Sequence, residues 1–159
     1  MTERVFVALG SNLGDRPTNL SEAVTRMRRL NGTEVLGVAP VLETPAMLPV
    51  EDPTPQPAYL NTVAELTTTL EPLPLLRALK QLEQDLGRVV TTRWAPRVID
   101  LDLVLYGERV VTMEELVLPH PGLISRRFVL EPLLHLAPHL AHPVTGVPFA
   151  ESLRRLVGA

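Results

Sequence analysis

The sequence of 159 residues contains no cysteine. Disulfide bonds and thiol catalysis are therefore excluded, and the absence of cysteine fits a protein of the cytoplasm. No apolar run approaches the roughly 18 residues that a membrane-spanning helix requires. The first short apolar stretch ends at Gly10 and lacks the layout of a secretory signal. We therefore expect a cytoplasmic protein that does not associate with membranes.

The composition also shows no surplus of basic residues. The formal net charge is −3 at pH 7, whereas a nucleic-acid groove needs a basic surface. Gly10 and Gly14 lie in a polar turn before a predicted helix, but neither G-x-G-x-x-G nor G-K-[ST] is present there. The sequence thus argues against a nucleic-acid partner and does not support nucleotide binding in the P-loop manner.

The remaining composition is typical of a globular protein. Hydrophobic residues make up 45% of the chain and charged residues 21%, which is enough apolar material for a proper core. We find no internal repeat and no low-complexity segment. Residues 1–159 are therefore predicted to form a single domain.

Hydrophobic periodicity predicts strands and helices in alternation. Strands are predicted where short apolar or alternating runs end at turn residues, namely 5–9, 33–42, 59–69, 98–106 and 109–112. Helices are predicted where apolar residues recur every three or four positions, namely 15–30, 72–87, 126–138 and 149–158. The second strand is expected to bulge at Gly37 and to break at Pro40. The strand ending at Tyr106 is expected to form a hairpin with residues 109–112 across Gly107.

The predicted strand at residues 98–106 carries two carboxylates on one face. Alternate side chains of a strand share a face, so Asp100 and Asp102 project together, about 7 Å apart. The opposite face is apolar and is predicted to consist of Ile99, Leu101, Leu103 and Leu105. Like charges this close raise each other's pKa unless a cation lies between them. Two carboxylates with substrate phosphates and water are a ligand set that suits Mg²⁺.

Two arginines lie just before this pair of aspartates. Arg93 and Arg97 flank Trp94 and Pro96, and guanidinium groups bind phosphate oxygens in a forked geometry. An anionic substrate, a hard cation and an arginine clamp are thus predicted within one short segment. The structural alternative is that the aspartates form an ion-paired rim with Arg97.

Three further features leave a functional and a structural interpretation open. Residues 45–57 contain five prolines and almost no periodicity, which favours a stiff lid over a domain linker. Tyr59 and Asn61 share a strand face and are suited to a flat heterocycle, although a tyrosine and an asparagine at a sheet rim are the simpler interpretation. His120 lies between two prolines and is either a phosphate donor or merely exposed. Lys80 and Glu83 are most simply a solvated helix face.

Several motifs occur together in a characteristic order. They are Ala8-Leu9-Gly10-Ser11-Asn12-Leu13-Gly14-Asp15, Glu43-Thr44-Pro45, Gln56-Pro57-Ala58-Tyr59-Leu60-Asn61, Gly87-Arg88, Arg93 through Asp102, Leu118-Pro119-His120-Pro121, and Arg126 through Leu133. In this order the motifs resemble the 6-hydroxymethyl-7,8-dihydropterin pyrophosphokinase family of folate biosynthesis, nearly from end to end. The resemblance implies a ferredoxin-like α+β fold with a central, mostly antiparallel sheet and helices packed on its faces.

The resemblance also implies a reaction and a set of site residues. Pyrophosphate would pass from ATP to the pterin hydroxymethyl oxygen, releasing AMP, and Asp100 and Asp102 would hold two Mg²⁺ ions. The residues implied for the pterin are Thr44, Pro45, Met47, Tyr59, Asn61, Trp94 and Phe128. Those implied for catalysis and phosphate contacts are Arg88, Arg97, His120 and Arg126. Those implied for the rest of ATP are Leu76, Lys80, Glu83, Arg93, Ile99, Leu103 and Leu116. A monomer acting on small molecules is expected.

The sequence departs from the family pattern after Gly87-Arg88, where Val90, Thr91 and Thr92 stand in place of further basic residues. The arginine contribution of this loop is therefore expected to be smaller. Two rival functions remain at this point: a D-x-D nucleotide-sugar glycosyltransferase, and a ferredoxin-like binding domain without enzymatic activity. Release of AMP that requires Mg²⁺ and the pterin separates both rivals from the pyrophosphokinase.

Overall fold

The computed structural model describes residues 2–45, 57–87 and 98–158. Its strands, in chain order, are β1 (Glu3–Ser11), β2 (Thr33–Val38), β3 (Leu42–Thr44), β4 (Tyr59–Thr68), β5 (Asp100–Tyr106), β6 (Val111–Thr112) and β7 (Val117–Leu118). Its helices are α1 (Arg16–Met27), α2 (Pro72–Asp85), α3 (Arg127–Leu136) and α4 (Phe149–Leu156), with a 3₁₀ turn at Leu123–Ser125. These elements form the predicted mixture of helices and an antiparallel sheet.

The main sheet has the order β2-β4-β1-β5, with β3 paired to the first residues of β4. Every strand pairing within the described ranges is antiparallel. The first six large elements run β1, α1, β2, β4, α2, β5, which is the split β-α-β arrangement of the ferredoxin-like fold. The predicted fold class is thereby confirmed.

Helices cover both faces of the sheet. The helices α1 and α2 bury Leu20, Met27, Leu75 and Leu79 against one face, together with inward residues of β1, β4 and β5. The helices α3 and α4 pack on the opposite face in a second apolar cluster centred on residues of β1, β4 and β5 that point the other way. The central strands β1, β4 and β5 are therefore largely buried, whereas the edge strand β2 exposes Leu36.

A bulge in β5 changes which face its residues occupy. Val7 pairs with Leu103 and Phe6 pairs with Leu105, so Val104 is an extra residue in the strand. Leu101 and Leu103 lie in the cluster under α1 and α2, whereas Leu105 lies in the other cluster. The prediction that Leu105 shares the apolar face of Leu101 was therefore wrong, since simple alternation fails across a bulge. The predicted bulge at Gly37 in β2 is confirmed by a register shift there.

The predicted hairpin after β5 was also wrong. Residues 111–112 pair with β7 and not with β5. The backbone N–H of His120 instead donates to Val104 O of β5, at 3.0 Å. The chain after β7 therefore lies along the edge of β5 where the hairpin was expected, and it brings His120 to that edge.

Helix α1 starts where the sequence predicts. The Asp15 side chain caps it by accepting a hydrogen bond from Thr18 N at 3.2 Å, and Pro17 lies in the first turn. Four residues therefore separate the end of β1 from the start of α1. Within the described residues, none of the helices has both the length and the apolar character needed to cross a membrane.

Candidate functional site

A cavity of about 540 Å³ lies at one end of the main sheet, on the face covered by α3. The end of β1 lies between the starts of β4 and β5. Residues of these three strands therefore form the floor and part of the walls of the cavity. The residues that line it are Ala8, Leu9, Gly10, Thr44, Pro45, Tyr59, Asn61, Thr62, Lys80, Asp100, Asp102, His120, Ser125, Arg126, Phe128 and Val129. Sequence positions as distant as 8 and 129 therefore contribute to one cavity.

Gly10 occupies the middle of the cavity floor. It pairs with Asn61 of β4 on one side and with Asp100 of β5 on the other. A Cβ atom at this position would lie 3.2 Å from Asn61 Oδ1 and 3.4 Å from Tyr59 Cδ1. The side chains of Tyr59 and Asn61 thus pack over the backbone of Gly10, where a larger residue would have its side chain. Sequence reasoning placed Gly10 in a turn and missed this role, because no local pattern of the sequence records that β1 pairs with both β4 and β5 at this residue.

The aspartate pair lies on one side of this floor. Asp100 and Asp102 are alternate residues of β5, and both line the cavity, while Leu101 between them is buried in the core. The Asp102 side chain is 42% exposed. The predicted projection of both carboxylates to one face is therefore what the structure shows.

Aromatic and amide side chains form the wall of the cavity on the other side of Gly10. Asn61 is only 6% exposed, and its Nδ2 donates to Thr44 Oγ1 at 2.7 Å. This contact fixes the plane of the amide and leaves Oδ1 and a second N–H for other partners. Phe128, the second residue of α3, lines the cavity together with Tyr59. The structure thus brings together two aromatic rings and an oriented amide.

The wall is braced from α1 and the turn before it. Asn12, which is fully buried, donates from Nδ2 to Pro57 O at 3.2 Å. The Arg16 guanidinium donates to Ala58 O at 2.7 Å and also contacts Glu43 Oε2 at 3.2 Å. These bonds hold the two residues immediately before Tyr59. Sequence analysis assigned no such role to Asn12 or Arg16.

His120 and Arg126 provide the basic part of the cavity. His120 Nδ1 accepts a hydrogen bond from Gly122 N at 3.0 Å, so in the neutral ring the proton lies on Nε2. Burial lowers the pKa of His120, Asp102 raises it, and Arg126 and Lys80 lower it further, with a net decrease. A neutral imidazole that donates from Nε2 is the result. Arg126 lies directly over Gly122, where a Cβ would approach its Nε to 2.7 Å.

Of the two residues predicted to form a solvated face of α2, Glu83 is buried, whereas the Lys80 side chain is 43% exposed. Glu83 is 1% exposed, and its Oε2 accepts from Leu101 N at 2.6 Å. Lys80 lines the cavity, and its Nζ donates to Leu101 O at 3.2 Å. The prediction was therefore wrong for Glu83, because periodicity along α2 carries no information about the edge of β5 beside it.

The other residues implied by the family resemblance have different locations. Four of them are packed in the core, with exposures of 7% or less: Leu76, Ile99, Leu103 and Leu116. Five lie outside the described residues: Met47, Arg88, Arg93, Trp94 and Arg97. The segment predicted as a lid, residues 45–57, and the loop of residues 88–96 also lie almost wholly outside them. Pro45, at the border, lines the cavity.

A ferredoxin-like sheet with acidic, basic and aromatic side chains gathered in one cavity suits the class of enzymes that act on small molecules. The family model for 7,8-dihydro-6-hydroxymethylpterin-pyrophosphokinase matches residues 6–138. The chain belongs to this family. The resemblance predicted from the motifs is thereby confirmed. The family's reaction is pyrophosphoryl transfer from ATP to the hydroxymethyl group of the dihydropterin in folate synthesis.

The chain matches some of its relatives over their whole length and others over only one part of a longer protein. The chain is 40% identical to the 2-amino-4-hydroxy-6-hydroxymethyldihydropteridine pyrophosphokinase of Pseudomonas aeruginosa, over the full length of both. It is 42% identical to the folic acid synthesis protein fol1 of Schizosaccharomyces pombe, over 95% of this chain but 20% of that protein. The chain thus spans about a fifth of the length of this fungal relative.

Solved structures show the same fold at low sequence identity. A crystal structure of an HPPK-DHPS in complex with substrates superposes with a TM-score of 0.75 and 12% identity, covering 99% of this chain and 44% of that one. The Plasmodium falciparum HPPK-DHPS A437G with STZ-DHP gives a TM-score of 0.75 over 99% of this chain and 46% of that one. At this identity the likeness establishes the fold alone.

Proposed function

We propose that this chain catalyses Mg²⁺-dependent transfer of pyrophosphate from ATP to the hydroxymethyl group of 6-hydroxymethyl-7,8-dihydropterin, giving the pterin diphosphate and AMP. The observation that carries the proposal is the position of Gly10 between Asn61 and Asp100. Two strand spacings separate those residues, about 10 Å. A flat heterocycle bound at Asn61 therefore places a short exocyclic arm beside the aspartates.

The pterin binds in this proposal between Tyr59 and Phe128. Both rings line the same cavity, and stacking on aromatic faces suits a planar ring system. The Asn61 amide, oriented by Thr44 Oγ1, would pair with the donor and acceptor groups at the edge of the heterocycle. Pro45 adds an apolar surface next to Thr44. Met47 and Trp94, outside the described residues, are proposed to contribute to the same subsite.

The aspartate pair fits two Mg²⁺ ions by the chemistry of its donors. Within the described residues no group of three or more histidine, cysteine or acidic side chains could hold a metal ion. Mg²⁺ characteristically takes one or two carboxylates and completes its shell with phosphates and water, so Asp100 and Asp102 suit an ion that arrives with a triphosphate. When bound, the metal would neutralise the phosphate charge and favour the alkoxide of the pterin alcohol.

The basic side chains of the cavity would act on the transferred group. His120 donates from Nε2 to a phosphate oxygen, and Arg126 contributes a forked donor beside it. Charge that develops on the transferred group is stabilised by donors already in position. Arg88, Arg93 and Arg97 are proposed to add phosphate contacts from outside the described residues.

The adenosine side of the site is expected to depend on shape more than on direct contacts. Leu76, Ile99, Leu103 and Leu116 lie in the core, so we propose that they support this side from beneath. We also propose that residues 1–159 act as one pyrophosphokinase domain and as a cytoplasmic monomer. Light scattering on the purified protein tests the oligomeric state.

The products of the reaction test the proposed function directly. We expect AMP and the pterin diphosphate to accumulate in equal amounts, and only when ATP, Mg²⁺ and 6-hydroxymethyl-7,8-dihydropterin are all present. Separation of the nucleotides by ion exchange measures both AMP and ADP. Formation of ADP would mean transfer of a single phosphoryl group and would contradict the proposal, as would AMP formation that continues without the pterin.

Replacing Gly10 with alanine is expected to weaken pterin binding about tenfold. The new Cβ would lie 3.2 Å from Asn61 Oδ1, and relieving such overpacking costs roughly 1–3 kcal/mol, where 1.4 kcal/mol corresponds to a tenfold change in affinity. Isothermal titration with the pterin measures the effect. Gly37→Ala is the matched control because its Cβ meets only Leu136 Cδ2, at 3.5 Å. Equal pterin affinities for Gly10→Ala and wild type would contradict the proposed floor.

A further inference from the structure

Lys80 is the only lysine in the sequence. The other fourteen lysine or arginine positions are all arginine. This single lysine lies on α2 and lines the cavity next to Asp102. An ammonium group is a compact point charge with three donors, whereas a guanidinium group is a flat fork. The position is therefore chemically distinct from every other basic position in the chain.

Two side chains of α2 bind the backbone of β5 between the two aspartates. Glu83 Oε2 accepts from Leu101 N at 2.6 Å, and Lys80 Nζ donates to Leu101 O at 3.2 Å. Lys80 Nζ also lies 3.4 Å from Glu83 Oε1. The two side chains thus satisfy one donor and one acceptor that an adjacent strand would otherwise satisfy. Leu101 is fixed by these contacts, and with it the starting points of the Asp100 and Asp102 side chains.

The same ammonium group lies close to one of the carboxylates. Lys80 Nζ is 4.0 Å from Asp102 Oδ1, and both side chains are a little over 40% exposed. Glu83, in contrast, is buried. Lys80 is thus anchored at its inner side by Glu83 and the Leu101 carbonyl, and it presents its charge to Asp102 at the cavity surface. Repulsion between the two aspartates is reduced by a cation placed this way.

We propose that Lys80, positioned by Glu83, is a resident cation that neutralises Asp102 while no divalent ion is bound, so that the aspartate pair binds the ion mainly together with the nucleotide. The inference rests on the proposed function, because the ion in question is the one that the pyrophosphokinase reaction needs. Lys80 and Glu83 are positioning residues in this proposal. Lys80 repels a divalent ion that arrives alone, whereas a triphosphate brings enough negative charge for both cations.

Manganese binding to the enzyme without pterin tests the proposal. Free Mn²⁺ is measured by electron paramagnetic resonance, with and without α,β-methylene ATP, for wild type and for Lys80→Met. We expect Lys80→Met to bind Mn²⁺ alone about two- to fivefold more tightly, as removal of a partly exposed charge implies. The improvement in Mn²⁺ affinity that the nucleotide brings should shrink in the same variant.

Two further variants control this measurement. Lys80→Arg keeps the charge and is expected to bind Mn²⁺ as weakly as wild type does. Arg77→Met removes a positive charge from the same helix at an exposed position that pairs with Glu115, and it should leave Mn²⁺ affinity unchanged. Unchanged or weaker Mn²⁺ binding by Lys80→Met would overturn the proposal, as would an increase of the same size in Arg77→Met.

Nuclear magnetic resonance observes Lys80 directly. Protein labelled with ¹³C-lysine gives one ε-methylene signal because the chain has a single lysine. We expect this signal to shift when Mg²⁺ and α,β-methylene ATP are added together and to shift less with Mg²⁺ alone. In Glu83→Gln it should move toward the value of an unrestrained lysine. A signal insensitive to all three changes would overturn the proposal.

The AMP assay separates failure of this inference from failure of the proposed function. Wild-type protein that forms AMP while Lys80→Met binds Mn²⁺ normally contradicts the role of Lys80 and leaves the function intact. Wild-type protein that neither forms AMP nor binds Mn²⁺ with the nucleotide contradicts both.

Discussion

Replacing Asp102 with asparagine is expected to reduce AMP formation by about a thousandfold or more. The side chain keeps its size and remains on the same face of β5, but it loses the charge proposed to hold the divalent ion. Metal ions contribute several kcal/mol of charge stabilisation in such transfers, and each 1.36 kcal/mol corresponds to a factor of ten in rate. Because Asp102 is 42% exposed at the end of the sheet, the fold is expected to survive the change.

Initial rates of AMP formation, measured with saturating ATP and pterin, test this prediction. Circular dichroism and a thermal melt establish that the variant is folded. Asp85→Asn is a matched control, since Asp85 is an exposed residue at the end of α2 and accepts a hydrogen bond from Gln81. A folded Asp102→Asn protein that retains more than a tenth of the wild-type rate would show that Asp102 does not hold the essential ion.

Replacing either aromatic side chain of the wall with alanine is expected to weaken the binding of the pterin far more than the binding of ATP. For Phe128→Ala and Tyr59→Ala we expect pterin dissociation constants about thirtyfold higher, while the constant for Mg·ATP changes less than twofold. Loss of one stacked ring corresponds to about 2 kcal/mol of buried apolar surface and ring contact, and 1.4 kcal/mol corresponds to a tenfold change. The aspartate pair lies across Gly10 from Asn61 and Tyr59, so the proposed phosphate side of the site is left in place.

Titration calorimetry with each ligand separately distinguishes the two effects. Tyr59→Phe keeps the ring and is expected to bind the pterin nearly as well as wild type does. Phe128 also packs against the apolar cluster under α3, so a thermal melt must accompany the Phe128 variant. Similar losses of affinity for the pterin and for ATP would argue against a stacking role for these rings.

Much of the site follows from two properties of the sequence. Alternation along a strand is local, so the common face of Asp100 and Asp102 and that of Tyr59 and Asn61 could be predicted without any tertiary information. The ordered motifs pointed to the family, which the comparisons confirmed. Elements with strong periodicity, such as α1 and α2, also lie where they were predicted.

What could not be predicted depends on neighbours that are distant in sequence. The bulge at Val104 moves Leu105 to the other face because β5 must match the register of β1, and no local pattern records that register. The edge of β5 is occupied by His120 and by side chains of α2. For this reason the predicted hairpin does not form there, and Glu83 is buried against this edge instead of being solvated. The backbone N–H and C=O groups of an unpaired strand edge form hydrogen bonds with whichever polar groups the tertiary fold places beside them.

The bonds from Asn12 and Arg16 to the carbonyl oxygens of Pro57 and Ala58 have a consequence for ligand selection. They tie the backbone that leads into Tyr59 to the junction of β1 and α1, so we expect the shape of this wall to be set before a ligand binds. A ring that fits such a wall loses little freedom beyond its own on binding. We therefore expect the junction of the first strand and first helix to contribute to discrimination against heterocycles of the wrong shape, although it lies some distance from any reacting atom.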